Sequence, residues 1–164
     1  MTSPVRLNGG LMKEFIDIFT NYPVMCAFIS WVAAQILKTV LWVIKNRKFN
    51  FLTLIGSGGM PSSHSSTVCA LATAIGRTNG FESVEFALSF VLAFIVMYDA
   101  AGVRRATGEQ AKILNRIVSD LQGGKTEDMP KRLKELVGHT PLQVFAGAVL
   151  GVMITVIVGV ITSK

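Results

Sequence analysis

The stretch 23-PVMCAFISWVAAQILKTVLWVI-44 decides the fold class. It runs 22 residues with only Gln35 and Lys38 among the strongly polar types. About 20 helical residues cross a hydrocarbon layer of about 30 Å, so Pro23 to Ile44 is long enough to span a membrane. Asn21-Tyr22-Pro23 supplies a helix start, with proline near the first turn, and Lys45, Arg47 and Lys48 close the other end.

Working outward, the pattern repeats. A second, shorter helix is expected from near Ser62 to about Arg77; Ala70, Ala72, Thr73, Ala74 and Gly76 suit close helix packing, and Asn79-Gly80 ends it. A third run, Ser83 to about Gly102, is apolar apart from Glu85 at its start and Asp99 near its end. The fourth, Leu142 to Ile161, carries no charge. Leu11 to Phe19 reads as a short amphipathic segment at the membrane interface. Val103 to His139 is the one extended polar region; within it Ile113, Leu114, Ile117, Val118 and Leu121 recur at helical spacing before Gly123-Gly124 breaks the pattern. The expected architecture is all-α: a polytopic membrane bundle of about four hydrophobic helices plus amphipathic interfacial ones. Residues 1–164 form a single domain in this reading, with 1–20 as an interfacial segment and 103–139 as a polar cytoplasmic connection.

Composition agrees. The chain has 164 residues, 51% hydrophobic and only 16% charged, with a mean hydropathy of +0.51. Such a chain is neither disordered nor a coiled coil nor a disulfide-stapled secreted module. Cys26 and Cys69 lie among aliphatic neighbours and read as buried thiols, with no disulfide or metal framework. No cleavable signal peptide is expected, because Lys13, Glu14 and Asp17 precede the first long apolar run.

The net charge of +6 is distributed by loop. Lys45, Arg47 and Lys48 sit in the first connection; Arg104, Arg105, Lys112, Arg116, Lys125, Lys131, Arg132 and Lys134 sit in the third. Those eleven face four on the other side: Arg6, Lys13, Arg77 and Lys164. Positive charge collects on cytoplasmic loops, so the reading places these connections in the cytoplasm and both termini outside. Basic loops flanking spans attract anionic lipid, and no nucleic-acid partner is expected.

This topology sends three chemistry-bearing segments to one face: Gly56 to Ser65, Asp99 to Arg105, and Gly138-His139. Both histidines of the chain, His64 and His139, are among them. A glycine-rich loop followed by Pro61, Ser62 and Ser63 at a helix start is suited to an anion, since glycines permit close backbone approach and the helix dipole favours negative charge. The same residues also suffice as a plain helix cap. His64, in the first turn, is either a proton donor to a leaving oxygen or an interfacial side chain. Lys38 either serves the same site or extends along its own stem to the surface. Gly147, Gly151, Thr155 and Gly159, four apart, make a smooth face for close helix contact, within the chain or between two copies as a homo-oligomer.

Three ordered segments, GGMPSSHSS, MYDAAGVRRATGEQAKILN and LKELVGHTPLQV, resemble the bacterial divergent PAP2 family, also described as acid phosphatase/vanadium-dependent haloperoxidase-related. The likeness runs from about Tyr22 to the end. It implies a PAP2-like helical membrane protein related to lipid phosphatases that work through a phosphohistidine. On that resemblance Pro61-Ser62-Ser63-His64 stands for the second motif of the wider superfamily, with Ser63 in place of glycine and His64 as general acid. His139 stands for the nucleophile. Lys38 and Lys45, two helical turns apart with Gln35 and Trp42 beside them, stand for the lysine and arginine of the first motif. Leu133 occupies the place of an expected arginine, and Gln143 stands where an aspartate would orient His139. Glutamine can accept a hydrogen bond from the ring but does not stabilise an imidazolium as a carboxylate does.

Asp99, Arg104 and Arg105 can supply what is missing, by orienting a histidine and holding phosphate oxygens through paired N–H donors. The alternative is that Asp99 neutralises one of the arginines while the other anchors at headgroups. The combined expectation is a phosphatase, hydrolysing a phosphomonoester or pyrophosphate of a lipid. Its site is His139, His64 and Asp99, with Lys38, Lys45, Ser62, Ser63, Arg104 and Arg105 on phosphate and Gln143 orienting, without metal or other cofactor. The alternative is a catalytically weak relative that binds or transports a phospholipid or polyprenyl-phosphate headgroup.

Overall fold

The computed structural model describes residues 7–47, 59–121 and 138–163. Among them the chain is all-helical, in the order α1 (Leu7–Thr20), α2 (Tyr22–Asn46), α3 (Ser63–Asn79), α4 (Val84–Ala101), α5 (Val103–Leu121) and α6 (Pro141–Thr162). Three stretches are long and apolar enough to cross a membrane: Tyr22–Asn46, Val84–Asp120 (α4 running on into α5) and Pro141–Thr162. The protein is a polytopic helical membrane bundle. Its starts are fixed by side-chain caps where the sequence offers them: Asn21 accepts from Val24 N, Ser62 from Ser65 N, Ser83 from Phe86 N and Thr140 from Gln143 N.

Helix α3 is the centre, packed by α2, α4 and α6. Its 17 residues reach only about 25 Å at 1.5 Å per residue. The core it makes is small and polar: Ala70, Ala74, Ser62, Ser65 and Ser66 are fully buried, as are Ala34, Ser30 and Thr155 from its neighbours. Large apolar side chains point the other way, with Phe28 63%, Leu88 68% and Val160 73% exposed. A soluble protein would invert that arrangement; in lipid, small residues let backbones approach and hydroxyls join helices. Ser30 and Ser66 hydroxyls meet at 2.6 Å, and Thr155 Oγ1 donates to Ala70 O at 3.1 Å.

The smooth face of α6 is used within the chain. A Cβ at Gly147 would lie 2.3 Å from Ser62 O, and one at Gly151 2.3 Å from Ser66 O. These contacts also set the depth of α3. Ser62 is level with Gly147, about 9 Å inside the start of α6. On the opposite side Gly59 lies against the Lys38 stem, about 12 Å inside the end of α2. Among the described residues the start of α3 therefore lies at the bottom of a recess roughly 10 Å deep.

Candidate functional site

Four helix ends define this recess. From α2 come Lys38 and Lys45. Lys38 is only 3% exposed, its stem lying against Gly59, where a Cβ would meet Lys38 Cγ and Cδ at 3.1 Å. Gly59 also has φ +100°, a conformation that favours glycine. Both facts explain why a glycine precedes the helix here. Lys38, Lys45, Leu41, Trp42, Gly59, Met60 and Gln143 line an open cavity of about 490 Å³, so the two lysines share one face.

From α3 come Ser62, Ser63 and His64. Ser62 is the N-cap: its N–H donates to Gln143 O at 3.0 Å, and its Oγ accepts from Ser65 N and Ser65 Oγ at 3.4 and 3.1 Å. Those bonds match the capping alternative. Ser63 and His64 line a second cavity of about 400 Å³ with Thr67, Val68, Gln35, Trp31 and Val96.

From α6 comes Gln143, and just before that helix His139. The His64 and His139 rings have centroids 6.1 Å apart and planes inclined at 62°, so the two imidazoles are neighbours. His139 is 3% exposed, and its N–H donates to Ala100 O at 3.1 Å, tying it to the end of α4. Asp99, partly exposed, directly precedes that anchor. Arg104 and Arg105 stand in the first turn of α5, but their side chains, like the loop residues Gly56, Ser57 and Gly58, lie outside the described residues.

Gln143 does more than stand in for an aspartate. Thr140 and Gln143 form a capping box, each side chain accepting from the other's backbone. The Thr140 N–H can only donate, so the atom that meets it at 3.0 Å is the amide oxygen. The same Oε1 lies 3.3 Å from His139 Nδ1, which makes Nδ1 the protonated nitrogen and Nε2 the basic one. The pattern Thr140-x-x-Gln143 carried this signal in the sequence as a capping box, and sequence reasoning used Gln143 only for its place in the motif.

Two consequences are measurable without any substrate. Nitrogen-15 spectra of histidine-labelled protein should show His139 as the Nδ1–H tautomer; Nε2–H in the unaltered protein contradicts the assignment. Gln143→Leu should lose that tautomer preference and about 1 kcal/mol of stability with the cap, whereas Gln143→Glu should keep the cap.

Comparison with known proteins agrees with this geometry in extent. A family model described as the divergent PAP2 family matches residues 19–154, a range that takes in His64, His139, Lys38 and Gln143 and leaves out nearly all of α1. The uncharacterized membrane protein YuiD of Bacillus subtilis (strain 168) is 38% identical over 152 residues, 87% of this chain and 96% of that protein. No solved structure matches the chain. Matched over most of its length by the family model and over nearly all of a relative, the chain belongs to the divergent PAP2 family.

Proposed function

We propose that the protein hydrolyses a lipid phosphomonoester or pyrophosphate through a phosphohistidine on His139. The observation that carries this reading is the pair of imidazoles 6.1 Å apart, one with its basic nitrogen selected by Gln143. His139 Nε2 attacks phosphorus in line, the P–O bond to the lipid breaks, and His64 gives its proton to the departing oxygen. Lys38 and Lys45 neutralise phosphoryl oxygens, joined by Arg104 and Arg105 from α5. Asp99, beside the backbone anchor of His139, steadies that histidine. The dipoles of α3 and α6, whose N-termini both face the recess, favour the same negative charge. Phosphoryl transfer needs chiefly positioning and charge neutralisation, which cationic side chains supply without a metal.

A lipid substrate is supported by the setting. The recess lies among helices whose outer surfaces are apolar, and Trp31, 43% exposed, forms part of the wall beside His64. An intramembrane lysine is a marker of a functional pathway, and a lipid phosphate supplies the negative charge that Lys38 is placed to receive. The test is to mix the purified chain in detergent with ³²P-labelled phosphatidic acid and quench with alkali. An acid-labile, alkali-stable phosphoprotein is expected. Headgroup binding without any such species, on this and on polyprenyl phosphate, would instead identify a binding or transport protein.

The orientation proposed is a cytoplasmic site with both termini outside, resting on the loop charges. With Cys26 and Cys69 replaced, a cysteine at Thr126 should label only after the membrane is permeabilised, and one at Ser3 in intact cells; the reverse pattern overturns it.

A further inference from the structure

Helices α2 and α4 both pack on α3, yet their Cα traces stay more than 8 Å apart throughout the described residues. Helices in contact have axes about 8–10 Å apart, which brings Cα atoms well inside that distance, so α2 and α4 stand clear of one another. The cavity of about 400 Å³ occupies this gap: Trp31 lines it from α2, Ser63, His64 and Thr67 from α3, and Val96 from α4. Two contacts set its height. The Ser30 and Ser66 hydroxyls meet at 2.6 Å, which puts Trp31 about level with Thr67. Cys69 Sγ lies 3.6 Å from Met97 Sδ, which puts Val96 about level with Val68. Trp31 and Val96 therefore flank the gap about one helical turn deeper in the membrane than His64.

The rim of the gap is apolar and turned to hydrocarbon: Phe28, Trp31, Leu92 and Ile95 are all exposed, and the Phe28 and Trp31 rings stack at 6.0 Å. Its floor is polar, with the half-buried His64 and Thr67 beside Ser63. Polar side chains beneath an apolar mouth at membrane depth are costly to leave against hydrocarbon, and they suit a molecule with a polar head on an apolar chain. We propose that the lipid reaches His64 sideways from the bilayer, between α2 and α4, with Trp31 and Val96 as the posts of the opening. The inference rests on the phosphatase reading above and deepens it by giving the lipid its route. His64 is there the acid for the departing oxygen, so the cavity it lines is the side on which the lipid alcohol forms and from which it returns to the bilayer. The chains stay in hydrocarbon throughout, which avoids the cost of exposing methylene groups to water. The cavity with Lys38 and Lys45 shares no lining residue with this one; soluble phosphates enter and leave there.

The test closes the gap reversibly. In a chain with Cys26 and Cys69 replaced, reconstituted in phosphatidylcholine vesicles, Trp31→Cys and Val96→Cys are joined by a bifunctional thiol reagent that a reductant removes. Phosphohistidine formation from ³²P-labelled phosphatidic acid in the bilayer should fall about tenfold or more on bridging and return on reduction, while turnover of soluble p-nitrophenyl phosphate stays within about twofold. Unchanged phosphorylation by the lipid overturns the route, and so does an equal loss with both substrates, which would put the gap on a path common to them. A second measurement needs no turnover. In the chain with Trp31 intact, the fluorescence that Trp31→Phe removes should be quenched more by phosphatidic acid with brominated chains than by phosphatidylcholine brominated alike at the same mole fraction; equal quenching overturns the proposal. If the unaltered chain forms no phosphohistidine, it is the phosphatase reading that fails, and the quenching alone then decides whether a lipid phosphate occupies the gap.

Discussion

On the proposed phosphatase reading, His139→Ala is expected to abolish the trapped phosphoprotein and to lower turnover of a lipid phosphate by about four orders of magnitude, equivalent to about 5.5 kcal/mol of transition-state stabilisation. The size follows from removing the atom that forms the covalent bond. The fold should survive the change: the backbone bond from residue 139 to Ala100 O does not involve the ring, and the capping box of Thr140 and Gln143 remains. Unfolding in detergent should therefore shift little, separating loss of chemistry from loss of structure. His64→Ala should behave differently. Removing a general acid costs about 10²–10⁴ when the leaving group is an alkoxide, and much less when it is p-nitrophenolate, which departs without a proton. A His139→Ala protein that turns over at the unaltered rate would exclude His139 as nucleophile. Equal losses for both leaving groups in His64→Ala would remove its role as acid.

The spans were legible because lipid imposes a length and a polarity that few other environments do. Pro23 to Ile44 became Tyr22–Asn46, Ser83 to Gly102 became Val84–Ala101 with those two residues as caps, and Leu142 to Ile161 became Pro141–Thr162. The amphipathic segment at Leu11–Phe19 proved longer, Leu7–Thr20, since three polar or glycine residues at its start mask a helix that an apolar count does not see. The meeting of His64 with His139 followed from alternating topology, which sends both to one end. What the sequence did not disclose was vertical register. That Ser62 lies opposite Gly147 and Gly59 opposite Lys38 depends on which small residue of one helix faces which backbone of another, and single-helix periodicity contains no information about the partner. The recess among the described residues is the result of that register.

The register itself can be attacked at one atom. In Gly147→Ala the new methyl would stand 2.3 Å from Ser62 O and 3.0 Å from Ser65 Cβ, and the first of these is a backbone atom that cannot rotate away. Helix α6 must move outward by roughly an ångström to restore van der Waals contact. Overpacking of this kind costs about 1–3 kcal/mol, and here the cost is not confined to packing. The Ser62 N–H bond to Gln143 O, 3.0 Å in the native chain, stretches as the helices part, and Gln143 carries His139 with it through the Nδ1 contact. Positioning errors of an ångström lower phosphoryl transfer by about a hundredfold. Gly147→Ala should therefore lose stability in detergent and slow phosphohistidine formation together. Gly159→Ala gives the contrast: it lies on the same face, yet some 18 Å along α6 from residue 147, so any effect on stability should come without an effect on the histidine pair. Were Gly147→Ala to leave both melting and phosphorylation unchanged, α6 would not be seated against Ser62, and the depth assigned to the recess would be wrong.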